Sequence, residues 1–292
     1  MASSRDIRRR IRSAKNIGQI TKAMQMVAAS RMRKAQQGAL AGRPYATLMN
    51  EVLAPLAPTL GTFNHPLVEN RPVKKRCIIL ISTDKGLCGA LNSNLMREAA
   101  KFDPTTTIYI TAGRKASQYI ARTKRQLAAE FTYKDTPLFS EARAISKFAQ
   151  EMFLKKEVDQ VDILFTEFIS TLNQKAELLP FLPIGKITGA RAGIGTKAEP
   201  LALLQGAAEF VYEPGQEQVL GALLPHSLNF EVYQILLEAK ASEQSARMVA
   251  MKNATDNAFQ LIKDLTLEYN KLRQANITKE LLEITSASMA VS

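Results

Sequence analysis

Residues 226–292 contain neither glycine nor proline. As one helix this stretch would measure roughly 100 Å, at about 1.5 Å per residue. A single domain cannot wrap a helix of that length, so such a run needs a coiled-coil partner, a membrane or a helical repeat. No apolar run in the chain approaches the ~20 residues of a bilayer span, which excludes direct insertion. The partner has to come from elsewhere in the chain.

The N-terminal region supplies one. Ser3 or Ser4 can cap a helix whose first turn holds Asp6, the sign a helix N-terminus favours. Ile7, Ile11, Ala14, Ile17, Thr21, Met24 and Ala28 then recur in steps of three and four, a near-heptad seam that Ile20 and Val27 widen. Leu48, Val52 and Leu56 resume the stripe after Gly38, Gly42 and Pro44, which loosen or kink the helix, and Pro55 and Pro58 end it. The facing seam is Leu228, Val232, Ile235 and Ala239, then Ala254, Ala258, Leu261, Leu265, Leu272 and Ala275. Ser242, Asn253 and Asp256 read as polar seam positions, which cost stability but fix register. Pro225 is expected to kink the start of this helix.

Between the two ends the period changes. Residues 59–74 are dense in Pro, Gly and Asn and read as a loop. Residues 77–81 (CIILI) are a short continuous apolar run, the pattern of a strand buried on both faces. Residues 107–111 (TIYIT) and 161–168 (VDILFTEF) read as further strands, and 176–184 (AELLPFLPI) as a fourth weakened by its prolines. Residues 92–102, 114–122 and 139–156 read as helices, 185–208 as an irregular connection and 210–212 as one last strand. Alternating strand and helix predicts a largely parallel sheet covered on both faces. The expected fold is therefore α/β: a Rossmann-like domain over 75–208, inserted after a linker at 58–74 between helices 1–57 and 209–292. Those two helices pair as an antiparallel coiled coil, and the C-terminal one, being longer, projects.

The formal net charge is +12, and nearly all of it lies in residues 1–45, where eleven Lys and Arg face Asp6 alone. A basic coiled coil can neutralise phosphates, so a nucleic-acid scaffold is one reading. Against it, Tyr45 is the sole aromatic of the first 60 residues, which leaves no stacking platform, and no helix-turn-helix or zinc motif is present. The N-terminus lacks the apolar core of a secretory signal. Cys77 and Cys88 form no disulfide framework, which fits a reduced compartment.

Residues 82–92 (STDKGLCGALN) invite a phosphate-loop reading, but Gly86 and Gly89 match neither G-x-G-x-x-G nor G-x-x-x-x-G-K-[ST]. The glycines fit a tight strand-to-helix turn, with Asp84 available as a cap for the helix that follows and Cys88 as a small buried residue. His65 and His226 are isolated, Glu280 and Glu283 read as solvated, and no nucleophile or metal-ligand spacing emerges. No catalytic residue, cofactor or metal is expected.

Four blocks carry a resemblance. ITKAMQMVAASRMRKAQ at 20–36, STDKGLCGALN at 82–92, ASEQSARMVAMKNATDNA at 241–258 and RQANITKELLEI at 273–284 are similar, in order, to signatures of the γ subunit of F-type ATP synthases. The resemblance implies a non-catalytic central rotor shaft, one copy per complex, coupling ion flow through a membrane c ring to ATP synthesis or hydrolysis. Its terminal helices would turn inside a hexamer of alternating α and β subunits. Its α/β domain would sit at the base beside the ε subunit and the c ring. It implies a peripheral protein on the cytoplasmic face of a bacterial inner membrane. It places Lys22 and Met24 at the β-subunit lever, and Arg247, Arg273, Gln274 and Thr278 at the β-subunit catch loops. Tyr212 and Glu213 would lie at the base near the c ring, and residues 281–291 in an apolar bearing. The ending ITSASMAVS carries more hydroxyls than the small, apolar tail usual in that family.

Overall fold

The computed structural model of the chain describes residues 4–53, 65–184, 213 and 215–291. In chain order the elements are α1 (Ser4–Ala41), α2 (Arg43–Leu53), β1 (Arg76–Ile81), α3 (Leu91–Ala100), β2 (Thr107–Ala112) and α4 (Arg114–Arg122). There follow β3 (Gln126–Phe131), α5 (Phe139–Leu154), β4 (Gln160–Phe168), β5 (Gln174–Leu182) and α6 (Gln216–Val291). They form two compact units, one of residues 1–27 with 248–292 and the other of residues 28–247.

In the first unit, α1 and α6 pack antiparallel. Ile7, Ala14, Gly18 and Thr21 are buried on α1, and Met251, Thr255, Ala258 and Leu265 on α6, at spacings of three, four and seven that keep one heptad face. This spacing corrects the expected seam. Gly18, not Ile17, occupies the fourth position, because two successive steps of three would carry the stripe off the contact face. Ile17 and Leu261 are half exposed, and Asn253, Asp256 and Ala275 point to solvent. The polar register pair is instead Thr21 and Thr255, whose hydroxyl oxygens lie 2.7 Å apart; each also reaches a carbonyl of its own helix, Gly18 and Met251. A Cβ on Gly18 would stand 3.5 Å from that of Ala258, so the small residues set a close helix approach. Near the start of α1, the Arg8 guanidinium lies over the Tyr269 ring, 5.3 Å from its centroid. Every side chain from residue 273 to 286 is exposed. Among the described residues no helix is long and apolar enough to cross a membrane.

The second unit is built on a five-stranded sheet of order β3-β2-β1-β4-β5, parallel except for β5. Alternation along β1 sorts its side chains. Ile78 and Leu80 meet Leu95 and Ala99 of α3 and Ala116 and Ile120 of α4. Cys77, Ile79 and Ile81 meet Ile145 and Phe153 of α5 and Val232, Ile235 and Leu236 of α6. The C-terminal helix is thus one of the layers of the α/β domain. The strands over 77–81, 107–111 and 161–168 and the three intervening helices form as expected, within two residues at their ends.

β3 was not expected. Its sequence, QLAAEF, has low strand propensity, and as an edge strand it is largely exposed, so it carries no apolar alternation. Pro180 is tolerated in β5 because β5 is the opposite edge and the register slips beside it. α1 breaks at Gly42, and α2 packs Ala46, Met49 and Leu53 against Leu220, Leu224 and Phe230. Pro225 lies inside α6, which remains helical on both sides of it. The strand expected at 210–212 and Leu56 lie outside the described residues.

Candidate functional site

An open α/β sheet takes its ligands beyond the carboxyl ends of the strands, at the point where strand order reverses. Here that point lies between β1 and β4, flanked by the turn after Ile81 and the loop after Phe168. It is filled by α6. Gln234, Glu238, Lys240, Ser242, Glu243, Gln244 and Ser245 are all at most 3% exposed. A helix buried all round is normally apolar; on this one, three polar side chains reach loop backbone. Glu238 accepts a hydrogen bond from the Phe168 N–H at 3.2 Å. The Ser245 hydroxyl donates to the Thr171 carbonyl at 2.7 Å. Arg247 donates to the carbonyls of Lys85 and Gly86, both at 3.3 Å.

The 82–92 turn is held from several sides. Leu87 and Gly89 adopt positive φ, the Thr83 hydroxyl donates to the Lys85 carbonyl, and Asn92 donates to the Thr83 hydroxyl. Asp84 caps α4, accepting the Arg114 N–H at 3.0 Å, rather than the helix that follows it in sequence. Ser82 Oγ accepts the Ala116 N–H at 2.8 Å, and the Tyr133 hydroxyl donates to the Ser82 carbonyl at 3.0 Å.

Charge is concentrated at the same place. Glu243 bridges Lys240 at 3.0 Å and Arg247 at 2.8 Å. Lys240 also reaches Asp135 at 3.2 Å, and Asp135 pairs with Arg31. Burial pushes the Asp135 carboxyl up, but Lys240, as neighbouring charge and hydrogen-bond donor, together with Arg31 and Lys85, outweighs it and leaves the pKa below the ordinary 3.8. A depressed carboxylate contributes stability above its unfolded value and loses it as pH falls through the folded one. Asp135→Asn is therefore expected to cost under about 1 kcal/mol at neutral pH, since the side chain is half exposed. In acid titrations followed by circular dichroism, the gap between variant and parent should close as pH drops below about 3.9. Burial, helped by the Asp162 charge, pushes the Cys77 thiol up to about 12. Burial also raises Cys88, partly offset by Arg247. Neither thiol is poised for reaction.

The residues singled out from sequence fall in different places. Lys22 is exposed and Met24 partly exposed on α1. Arg273, Gln274 and Thr278 are exposed on α6, with the Thr278 hydroxyl donating to the Gln274 carbonyl at 2.9 Å. Residue 273 lies 18 positions beyond Thr255, which faces Thr21, so the two groups are separate patches roughly 27 Å apart along the helix. Arg247 is buried, its guanidinium spent on Glu243 and the 82–92 turn. Glu213 is exposed, and Tyr212 lies outside the described residues. Sequence reading assigned Ile20 and Val27 to the seam, yet they join Ile17 and Met26 as exposed apolar side chains, at 59%, 51%, 51% and 67%. Their signal was their offset from a strict heptad. Farther along, Ile277, Leu281, Leu282 and Ile284 are exposed as well. Exposed apolar side chains grouped in this way fit an interaction face.

The geometry is that of an α/β domain whose crevice is filled by its own helix, together with a helix pair that keeps apolar side chains outward. The family model described as ATP synthase matches residues 3–291. An ATP synthase gamma chain of Methylacidiphilum infernorum is 47% identical, and one of Opitutus terrae 48%, each alignment covering the whole of both chains. This chain belongs to the ATP synthase gamma chain family. Among solved structures, a chain of the Euglena gracilis mitochondrial ATP synthase (OSCP/F1/c-ring) aligns with a TM-score of 0.69 over 99% of this chain and 94% of that one, at 19% identity, a likeness of fold. A chain from the central stalk and c ring of the Tetrahymena thermophila mitochondrial enzyme aligns with a TM-score of 0.60 at 26% identity, over 80% of this chain and 99% of that one.

Proposed function

We propose that this chain is the central-stalk rotor of an F-type ATP synthase. It couples ion flow through a membrane c ring to ATP synthesis and hydrolysis in β subunits. The observation that carries this is the pairing of α1 and α6 with apolar side chains outward, at Ile17, Ile20, Met26 and Val27 and again at Ile277, Leu281, Leu282 and Ile284. A coiled coil normally turns such residues inward, so a surrounding partner is needed to cover them. Within α and β subunits, Lys22 and Met24 would meet one level of the β ring, and Arg273, Gln274 and Thr278 another. Arg247 would act from inside, stiffening α6 where it leaves the 82–92 turn. Tyr212 and Glu213 would face the c ring, with ε beside the α/β domain. One copy would serve each complex, on the cytoplasmic face of a bacterial membrane and peripheral to it. The working division is a helix over 1–57, a linker over 58–74, an α/β domain over 75–208 and a second helix over 209–292.

An ion crossing a membrane delivers roughly 2.3 kcal/mol per charge per 100 mV, too little for one ATP, so several crossings must be pooled. An asymmetric helix pair can pool them by turning and pressing on each β subunit in succession. Its effect on each is set by differential contact with the alternative β conformations. The chain needs no catalytic group of its own for this. Mixed with α and β subunits, the purified chain is expected to co-elute as one complex and restore cooperative ATP hydrolysis, while showing no hydrolysis alone. Elution apart from α and β would reject the reading.

A further inference from the structure

The outer side of the α/β domain carries a feature that the rotor reading leaves unused. α3 and α4 cover the same sheet face, and their shoulders leave an open groove of about 550 Å³. Its charged lining residues are Arg97, Lys115 and Arg122, all cationic. Lys115 donates to Gln118 at 3.4 Å; Arg97 and Arg122 have no ion pair among the described residues. The acids that touch the two helices are engaged: Glu98 pairs with Lys101 at 2.6 Å, Asp84 accepts the Arg114 N–H at 3.0 Å, and Glu130 accepts the Ser117 hydroxyl at 2.8 Å. The floor is apolar, made by Met96 and the ring of Tyr119.

The walls are fixed. Arg125, just past α4, donates to the carbonyls of Ala99, Ala100 and Phe102 at the end of α3, at 3.3, 3.1 and 2.9 Å. That ties the two helix ends together and makes the groove preformed. Three cations on one groove with no carboxylate between them repel one another, an arrangement that stability alone does not favour.

The geometry points to a docking groove for an acidic helical segment of a protein partner. Lys115, Tyr119 and Arg122 follow one side of α4 at helical spacing, which puts the two cations roughly 10 Å apart. Carboxylates seven residues apart on a partner helix have the same spacing. An apolar side chain between them would sit over Met96 and Tyr119. Free phosphate fits less well, because it offers no apolar group to cover Met96 and the Tyr119 ring.

The test uses the full chain and a synthetic helical peptide with Glu residues seven apart and a Leu between them, read by fluorescence anisotropy. Arg97→Gln with Arg122→Gln should weaken binding roughly ten-fold. Arg10→Gln with Arg12→Gln, which removes the same charge from α1, should leave it within about two-fold, and Arg97→Lys should retain most of it. The groove pair should leave the thermal midpoint unchanged or slightly raised. Unchanged binding in the groove pair, an equal loss in the α1 pair, or saturation by tripolyphosphate without peptide binding would each overturn the assignment.

Discussion

Glu243→Leu is expected to destabilise the α/β unit by about 3–5 kcal/mol, because it strands two buried cations. The side chains of Lys240, Glu243 and Arg247 are 3%, 4% and 10% exposed. Without the carboxylate, Arg247 keeps only the carbonyls of Lys85 and Gly86, and Lys240 keeps Asp135, which is half in solvent. Replacing the whole set, Lys240→Met with Glu243→Leu and Arg247→Leu, should recover part of the loss, since no charge is then left unpaired. The rim pair of Arg31 and Asp135 should matter far less, under about 1 kcal/mol. The chain has no tryptophan, so urea unfolding is best followed by circular dichroism. If Glu243→Leu unfolds at the same urea concentration as the parent, the buried network is not what fixes α6 in the crevice.

Gly113→Val is the second large effect. Gly113 has φ of +101°, and a Cβ there would stand 2.2 Å from the Ser82 carbonyl oxygen and 2.9 Å from its carbon. Neither atom can move cheaply. The oxygen accepts from Tyr133, and Ser82 Oγ accepts the Ala116 N–H that opens α4. Backbone strain and the clash together should cost on the order of 4 kcal/mol, or prevent folding. Gly86→Ala is the matched control: nothing lies within 4 Å of the position its Cβ would take, and it should unfold within about 0.5 kcal/mol of the parent. Equal stability of the two variants would contradict the turn geometry.

Much of this fold could be read from the sequence because its signals are local. The strand at Cys77 announces itself as an unbroken apolar run, and α6 as a stretch without breakers. What escaped were features set by neighbours. β3 has no pattern of its own, since an exposed edge needs none. Gly18 replaces Ile17 in the seam because close helix approach favours the smaller residue facing Ala258. The resemblance makes Arg247 a surface contact, yet the 82–92 turn, more than 150 residues away in sequence, takes its guanidinium inside. The filled crevice was invisible for the same reason, as polar residues in a long helix look solvent-facing until the loops beside them are known. Among the residues expected at contacts, Lys22, Arg273, Gln274 and Thr278 are exposed, while the outward turn of Ile17, Ile20, Met26 and Val27 emerges only from the register.

The central claim is that this chain turns within a ring of α and β subunits. Cys77 and Cys88 are both buried, so a single surface thiol introduced by Thr106→Cys, on the α/β unit, can be labelled selectively. With the α and β subunits immobilised and a bead on that thiol, ATP should drive continuous rotation in one direction. Steady ATP hydrolysis by the labelled complex with a stationary bead would contradict the account.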